Sequence, residues 1–208
     1  MKRPTIIAFS GIDGAGKTSA MQTITRSMGW RYRKQKVGRR YVKVEEEYRS
    51  TGRALWEAVG SEFGQRLSEA YLADLLEYKQ RYVHNNLVDK YVYLFDRWTF
   101  CLYAYANFMK CKQVAQQALE IAPSADLTIL VDADATVAHQ RILKARRPDW
   151  EEDTKSLERY RESYLECVRT FSSEVAVLNG NATHEQLVQS SKECIMSRLR
   201  LSPKLPRG

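Results

Sequence analysis

The sequence predicts an α/β fold: a five-stranded parallel sheet with helices on both faces. Three observations predict it. Short segments are apolar at nearly every position, which suits strands buried on both sides. Longer stretches between them repeat apolar residues at helical spacing. A glycine-rich turn joins the first such strand to the first such helix.

Thr5–Ser10 is the first strand, and residues 18–28 form the first helix. Residues 30–34 are the least apolar of the expected strands. Residues 61–87 carry Phe63, Leu67, Ala70, Tyr71, Leu75 and Tyr78 at helical spacing. Residues 91–96 and Leu127–Asp132 are apolar strands that each close on an acid, with a helix over 98–122 between them that stops before Pro123. A short basic helix over 136–147 stops at Pro148. Helices over 154–171 and 183–199 flank the last strand, Val175–Asn179, and the tail 201–208 is expected to fray. With no repeat, low-complexity tract or linker, residues 1–208 read as one domain.

Length and composition agree. At 208 residues, 44% apolar and 28% charged, the chain can bury one core but is short for two. No apolar run approaches ~18 residues, so no membrane span is expected, and the N-terminal segment does not read as a secretory signal. Cys101, Cys111, Cys167 and Cys194 form no C-x-x-C pair, and His84, His139 and His184 lie far apart, which argues against a structural metal and for reduced thiols in a cytoplasmic enzyme. The 33 basic and 25 acidic residues leave a net charge of +8, favouring anionic partners such as nucleotides or nucleic acid. Part of that excess is one run, Arg31, Arg33, Lys34, Lys36, Arg39, Arg40 and Lys43, which reads either as solvated loop or as a phosphate-facing patch.

The most specific signal is Gly11-Ile12-Asp13-Gly14-Ala15-Gly16-Lys17-Thr18, a match to G-x-x-x-x-G-K-[ST] between a strand and a helix. Backbone N–H groups of such a turn surround a phosphate chain, so Asp13, Gly14, Ala15, Gly16, Lys17, Thr18 and Ser19 are the expected ATP-binding residues. Lys17 can reach the β/γ-phosphates, and the Thr18 hydroxyl can ligate Mg²⁺.

Ligands of open parallel sheets sit at the carboxyl ends of the strands. Asp96 and Asp132 both end apolar strands, and either could hold Mg²⁺ or accept a proton there. Asp96 is followed by Arg97, a cation suited to bridge two phosphate groups, and is therefore the chosen member of the pair. Downstream, the basic segment Arg141, Lys144, Arg146 and Arg147 breaks at Pro148 and turns acidic. That pattern suggests a lid over about 141–153 that closes on phosphates and excludes water.

Together these residues resemble the thymidylate kinase branch of the P-loop nucleoside monophosphate kinases. The resemblance runs through the segment ending Lys17-Thr18, Asp96-Arg97-Trp98 with Tyr103-Ala104-Tyr105 behind it, Asp132 through Arg147 and Glu151, Leu157 to Tyr164, and Val177-Leu178-Asn179. It implies a P-loop kinase fold with a short lid, with Lys17 and Thr18 on the donor phosphates and Mg²⁺. Asp96 would lie near the metal and the acceptor phosphate. Arg97 would bridge donor and acceptor, Arg141 would line the ATP site, and Tyr105 would lie on the acceptor side. One branch of that family carries a catalytic arginine within the phosphate loop and the other in the lid. Gly14 occupies the loop position here, so the resemblance assigns the role to Arg146 or Arg147. The family commonly forms dimers.

The acceptor half departs from the pattern. The stretch that grips the acceptor monophosphate corresponds to Val37-Gly38-Arg39-Arg40, with no proline. Tyr71 could stack on a base, but Leu75 stands where the family has a thymine-reading arginine. The leading expectation is transfer of the γ-phosphate of ATP to dTMP or a related deoxynucleoside monophosphate, with Arg39 or Arg40 on its phosphate. The alternative is a kinase of the same fold acting on a hydroxyl of a modified base in DNA, an RNA or a natural-product intermediate, for which the basic run with Trp30, Tyr32 and Tyr41 would serve. No N-K-x-D guanine motif or G-x-G-x-x-G turn is present.

Overall fold

The computed structural model describes residues 5–28, 32–35, 87, 91–108, 125–148, 152–170 and 175–199. Its strands are β1 (Thr5–Ser10), β2 (Tyr32–Gln35), β3 (Val92–Asp96), β4 (Leu127–Asp132) and β5 (Val175–Asn179). They run parallel in the order β2-β3-β1-β4-β5, so β1 is central. Four of them, β3, β1, β4 and β5, have described side chains, and β2 pairs its backbone with β3 over Tyr32–Gln35.

The helices among the described residues are α1 (Lys17–Ser27), α2 (Thr99–Phe108), α3 (Ala135–Ala145), α4 (Thr154–Thr170) and α5 (His184–Leu199). Their starts follow from local chemistry. Thr183 and Gln186 form a reciprocal cap at α5: Gln186 N donates to Thr183 Oγ1 at 3.3 Å, and Thr183 N to Gln186 Oε1 at 3.1 Å. At α4, Asp153 Oδ1 accepts from the backbone N–H groups of Lys155 and Ser156 at 2.9 and 3.0 Å.

Alternation along β1 and β3 sorts the core. Ile7, Phe9, Val92 and Leu94 pack with Ala20, Met21 and Ile24 of α1, Phe100 and Ala104 of α2, and residues of α3, α4 and α5. Ile6, Ala8, Tyr93 and Phe95 point into a second cluster with Trp98 and Ala125. That second face is buried, with Leu87 packed against it, but the described helices all belong to the first cluster; of the helix predicted over 61–87, residues 61–86 lie outside the described residues. The two middle predicted helices compare differently with the structure. The 98–122 helix is described only as α2, with 109–124 outside the described residues, and the 136–147 helix runs Ala135–Ala145 because Arg146 is already extended at φ −167°.

Register positions the site. Phe9 pairs with Asp96, Ser10 with Leu130, and Asp132 with Asn179. The carboxyl ends of β1, β3, β4 and β5 therefore form one edge, which carries the turn after Ser10 together with Asp96 and Asp132.

Candidate active site

The turn between β1 and α1 is closed by backbone that only glycine adopts comfortably. Gly11 has φ +131°, and a Cβ there would lie 2.4 Å from the Val131 carbonyl oxygen. Gly14 has φ +78°, and a Cβ there would lie 2.3 Å from the Ala138 carbonyl oxygen. The loop is thus pressed against β4 on one side and α3 on the other. Gly14 also leaves no room in this conformation for a side chain, which is consistent with an arginine supplied from outside the loop.

Lys17 opens α1 with its side chain buried. Its Nζ donates to the carbonyls of Gly11 at 2.8 Å and Ile12 at 2.7 Å and lies 3.9 Å from Asp13 Oδ1. Burial, and then the charge of Arg97, lower its pKa, while the Asp13 and Asp96 carboxylates oppose the shift. The ammonium thus sits inside the turn at the sheet's carboxyl edge. Its neighbour Thr18 donates its hydroxyl to Asp96 Oδ2, joining α1 to the end of β3. Ser19 faces solvent, and Ala15 is buried.

Arg97 is the sole non-glycine residue with positive φ, +70°, among the described residues. Its backbone N–H donates to Phe9 O at 2.9 Å, which turns the side chain back toward the loop. Nη2 donates to Asp13 Oδ1 at 2.5 Å, and Nη1 to the Tyr164 and Tyr160 hydroxyls at 3.2 and 3.3 Å. Asp132 is differently engaged. Arg161 donates to both its oxygens, Nε at 2.6 Å and Nη2 at 3.0 Å, and a further Arg161 nitrogen lies 3.1 Å from Asp134. Of the two strand-terminal acids, Asp96 touches the phosphate turn and Asp132 is bidentate to an arginine of α4.

The residues expected to form a lid separate as well. Arg141 Nη1 donates to Gly180 O at 2.7 Å and approaches Gly14 O at 3.5 Å, bracing the loop against the turn after β5. Arg146 donates through both terminal nitrogens to the nearly buried Glu152, and its Nη1 also donates to Arg147 O at 3.0 Å. The Glu152 carbonyl lies 2.6 Å from His139 Nδ1. The Arg147 side chain is exposed. Tyr105 is half-buried with its ring 6.0 Å from that of Tyr160. The predicted acceptor residues Arg39, Arg40, Tyr71 and Leu75 lie outside the described residues.

Sequence reasoning missed Tyr160, Tyr164 and Arg161. The available signal was the i, i+4 spacing of two tyrosines on an amphipathic helix, since buried tyrosine hydroxyls need partners. Among the described residues, no group of three or more His, Cys, Asp or Glu could hold a metal ion. A cation here would therefore depend on the Thr18–Asp96 pair, whose hard oxygen donors suit Mg²⁺ completed by phosphate oxygens and water. No helix among the described residues is long and apolar enough to cross a membrane.

A parallel sheet whose central strand runs through a phosphate-binding turn into a helix, with an Asp-Arg pair at the next strand end, defines a P-loop nucleotide kinase. The thymidylate kinase family pattern matches residues 9–191, and the chain belongs to that family as an ATP-dependent nucleotide kinase. A probable thymidylate kinase of Metallosphaera sedula is 25% identical over 198 residues, 93% of each chain. A thymidylate kinase of Nitrosomonas eutropha is 27% identical over 220 residues, 94% of each chain. In fold the chain is similar to thymidylate kinase from Candida albicans, with a TM-score of 0.64, 16% identity, and coverage of 95% of this chain and 93% of that one. It is likewise similar to deoxyadenosine kinase from M. mycoides, with a TM-score of 0.65, 16% identity, and coverage of 93% and 100%.

Proposed function

We propose that this kinase transfers the γ-phosphoryl group of ATP to a deoxynucleoside monophosphate, dTMP or a close relative. The observation that carries this reading is the convergence of Lys17, Thr18, Asp96 and Arg97 on one turn at the sheet's carboxyl edge. Lys17 and the N–H groups at the start of α1 hold the donor phosphates. Arg97, paired with Asp13, meets the phosphoryl group where it passes from donor to acceptor, and stabilises charge on its equatorial oxygens. Mg²⁺, held by Thr18 and Asp96, would neutralise phosphate charge. The match over residues 9–191 supports reading 1–208 as one kinase domain.

Of the two lid arginines, Arg147 is the better candidate for the transferring group. Arg146 would first have to leave a carboxylate that is 5% exposed. Arg147→Ala is expected to lower kcat by on the order of 10²-fold with no change in Tm. Arg146→Ala should instead cost about 1–2 kcal/mol of stability, since it strips a partner from Glu152 but is itself half-exposed. Steady-state kinetics beside thermal unfolding separates the two, and the reverse pattern would exchange their roles.

A panel of nucleoside monophosphates with ATP and Mg²⁺, read as ADP release, tests the function directly. Turnover of no monophosphate, with label entering a DNA or RNA oligomer instead, would overturn the acceptor assignment. Leu75→Arg, which restores the donor that the family uses to read thymine, should raise kcat/KM for dTMP by about tenfold. An unchanged acceptor profile would mean that Leu75 does not line the base pocket.

A further inference from the structure

Arg97 is held from two sides by groups of different charge. On one side is the Asp13 carboxylate at Nη2; on the other are two phenolic hydroxyls at Nη1. Both hydroxyls come from α4, one helical turn apart, and they contact each other at 3.3 Å. Their rings stack with centroids 4.8 Å apart. Phe100 packs against Tyr164 at 5.9 Å, and Phe108 against Tyr160 at 5.2 Å. The helix itself is tied to the end of β4 by Arg161 on Asp132. Neither ring can shift without disturbing α2, and neither hydroxyl can leave Nη1 without moving α4.

We propose that Tyr160 and Tyr164 are positioning residues that fix the Arg97 guanidinium through Nη1, and so set where the arginine meets the transferring phosphoryl group. This rests on the role given to Arg97 above. An arginine side chain has several free torsions, and holding it in one place beforehand removes that ordering from the barrier to transfer. A carboxylate in place of the hydroxyls would hold the fork but cancel its charge and compete with phosphate for it. Neutral hydroxyls orient the cation and leave its charge for the substrate. Burial raises the pKa of both tyrosines, which keeps them neutral. Asp13, by contrast, contacts the nitrogen on the loop side, where an incoming phosphate can take its place. The left-handed backbone of Arg97 aims the side chain into this fork.

The test is Tyr160→Phe, Tyr164→Phe and the double variant, assayed with ATP, Mg²⁺ and whichever monophosphate of the panel the wild type turns over fastest. Phenylalanine keeps the ring stack, so Tm should stay within about 4 °C of wild type. Each single variant is expected to lower kcat about tenfold, and the KM for ATP should change less than twofold. In an Arg97→Ala background the double variant should add less than a further twofold loss, because the hydroxyls act only through that arginine. A double variant with wild-type kcat, or one whose loss multiplies in full with that of Arg97→Ala, would overturn the proposal. Wild-type turnover by Arg97→Ala alone would be a different failure, that of the role given to Arg97.

Discussion

Lys17→Ala is expected to lower kcat by about 10²–10³-fold or more, the scale seen when a single positioned donor to transition-state charge is removed. The ammonium lies inside the turn, held by the Gly11 and Ile12 carbonyls with Asp13 nearby, and is therefore in place before any nucleotide arrives. Burial disfavours the charged form, so an interaction with phosphate would replace solvation the buried ammonium lacks. The effect should fall mainly on kcat, because charge on the phosphoryl oxygens is redistributed most in the transition state. Removing the side chain exposes the two carbonyls to a small void, so Lys17→Met, which keeps the volume, serves as the control. Both variants should show the same kinetic loss. A kcat within threefold of wild type in Lys17→Met would remove the lysine from the chemistry.

Gly11→Ala should lower Tm by about 5–20 °C. Its φ of +131° is foreign to L side chains, at about 1–3 kcal/mol. The added Cβ would also lie 2.4 Å from the Val131 carbonyl oxygen, backbone of the neighbouring strand β4 that cannot swing aside. Overpacking of that kind adds about 1–3 kcal/mol. The two terms together approach a sizeable part of a typical domain's stability. If the strain is relieved by moving the loop instead, Tm will fall less and the KM for ATP will rise. A variant with wild-type Tm and wild-type KM would mean that the turn and β4 are not packed as described.

The fork of tyrosines around Arg97 also shows why the site was only partly legible from sequence. Asp96-Arg97 could be found because strand, acid and cation are adjacent in the chain. Tyr160 and Tyr164 lie 63 and 67 residues from Arg97, and nothing in a linear pattern says which face of α4 meets it. The rivalry between Asp96 and Asp132 had the same origin. Both end apolar strands, and the neighbouring Arg97 favoured Asp96, but the reason Asp132 is engaged elsewhere, Arg161, is 29 residues away. Arg146 and Arg147, the arginines of the proposed lid, are indistinguishable as letters. Glu152 separates them by taking Arg146.

The sequence by itself determined the parallel α/β layering, the phosphate turn and the acid-arginine pair, because each depends on interactions among residues close in the chain. Strand burial shows as unbroken apolarity, and a glycine turn followed by Lys-Thr is complete within eight positions. Only the tertiary structure decided the partners: Thr18 with Asp96, Arg97 with Asp13 and two tyrosines, Arg161 with Asp132, Arg141 with the carbonyl of Gly180. Strand order and register bring these groups together across long stretches of chain. A charged or hydroxylic side chain is bound by whatever lies within about 3 Å, which composition and spacing do not encode.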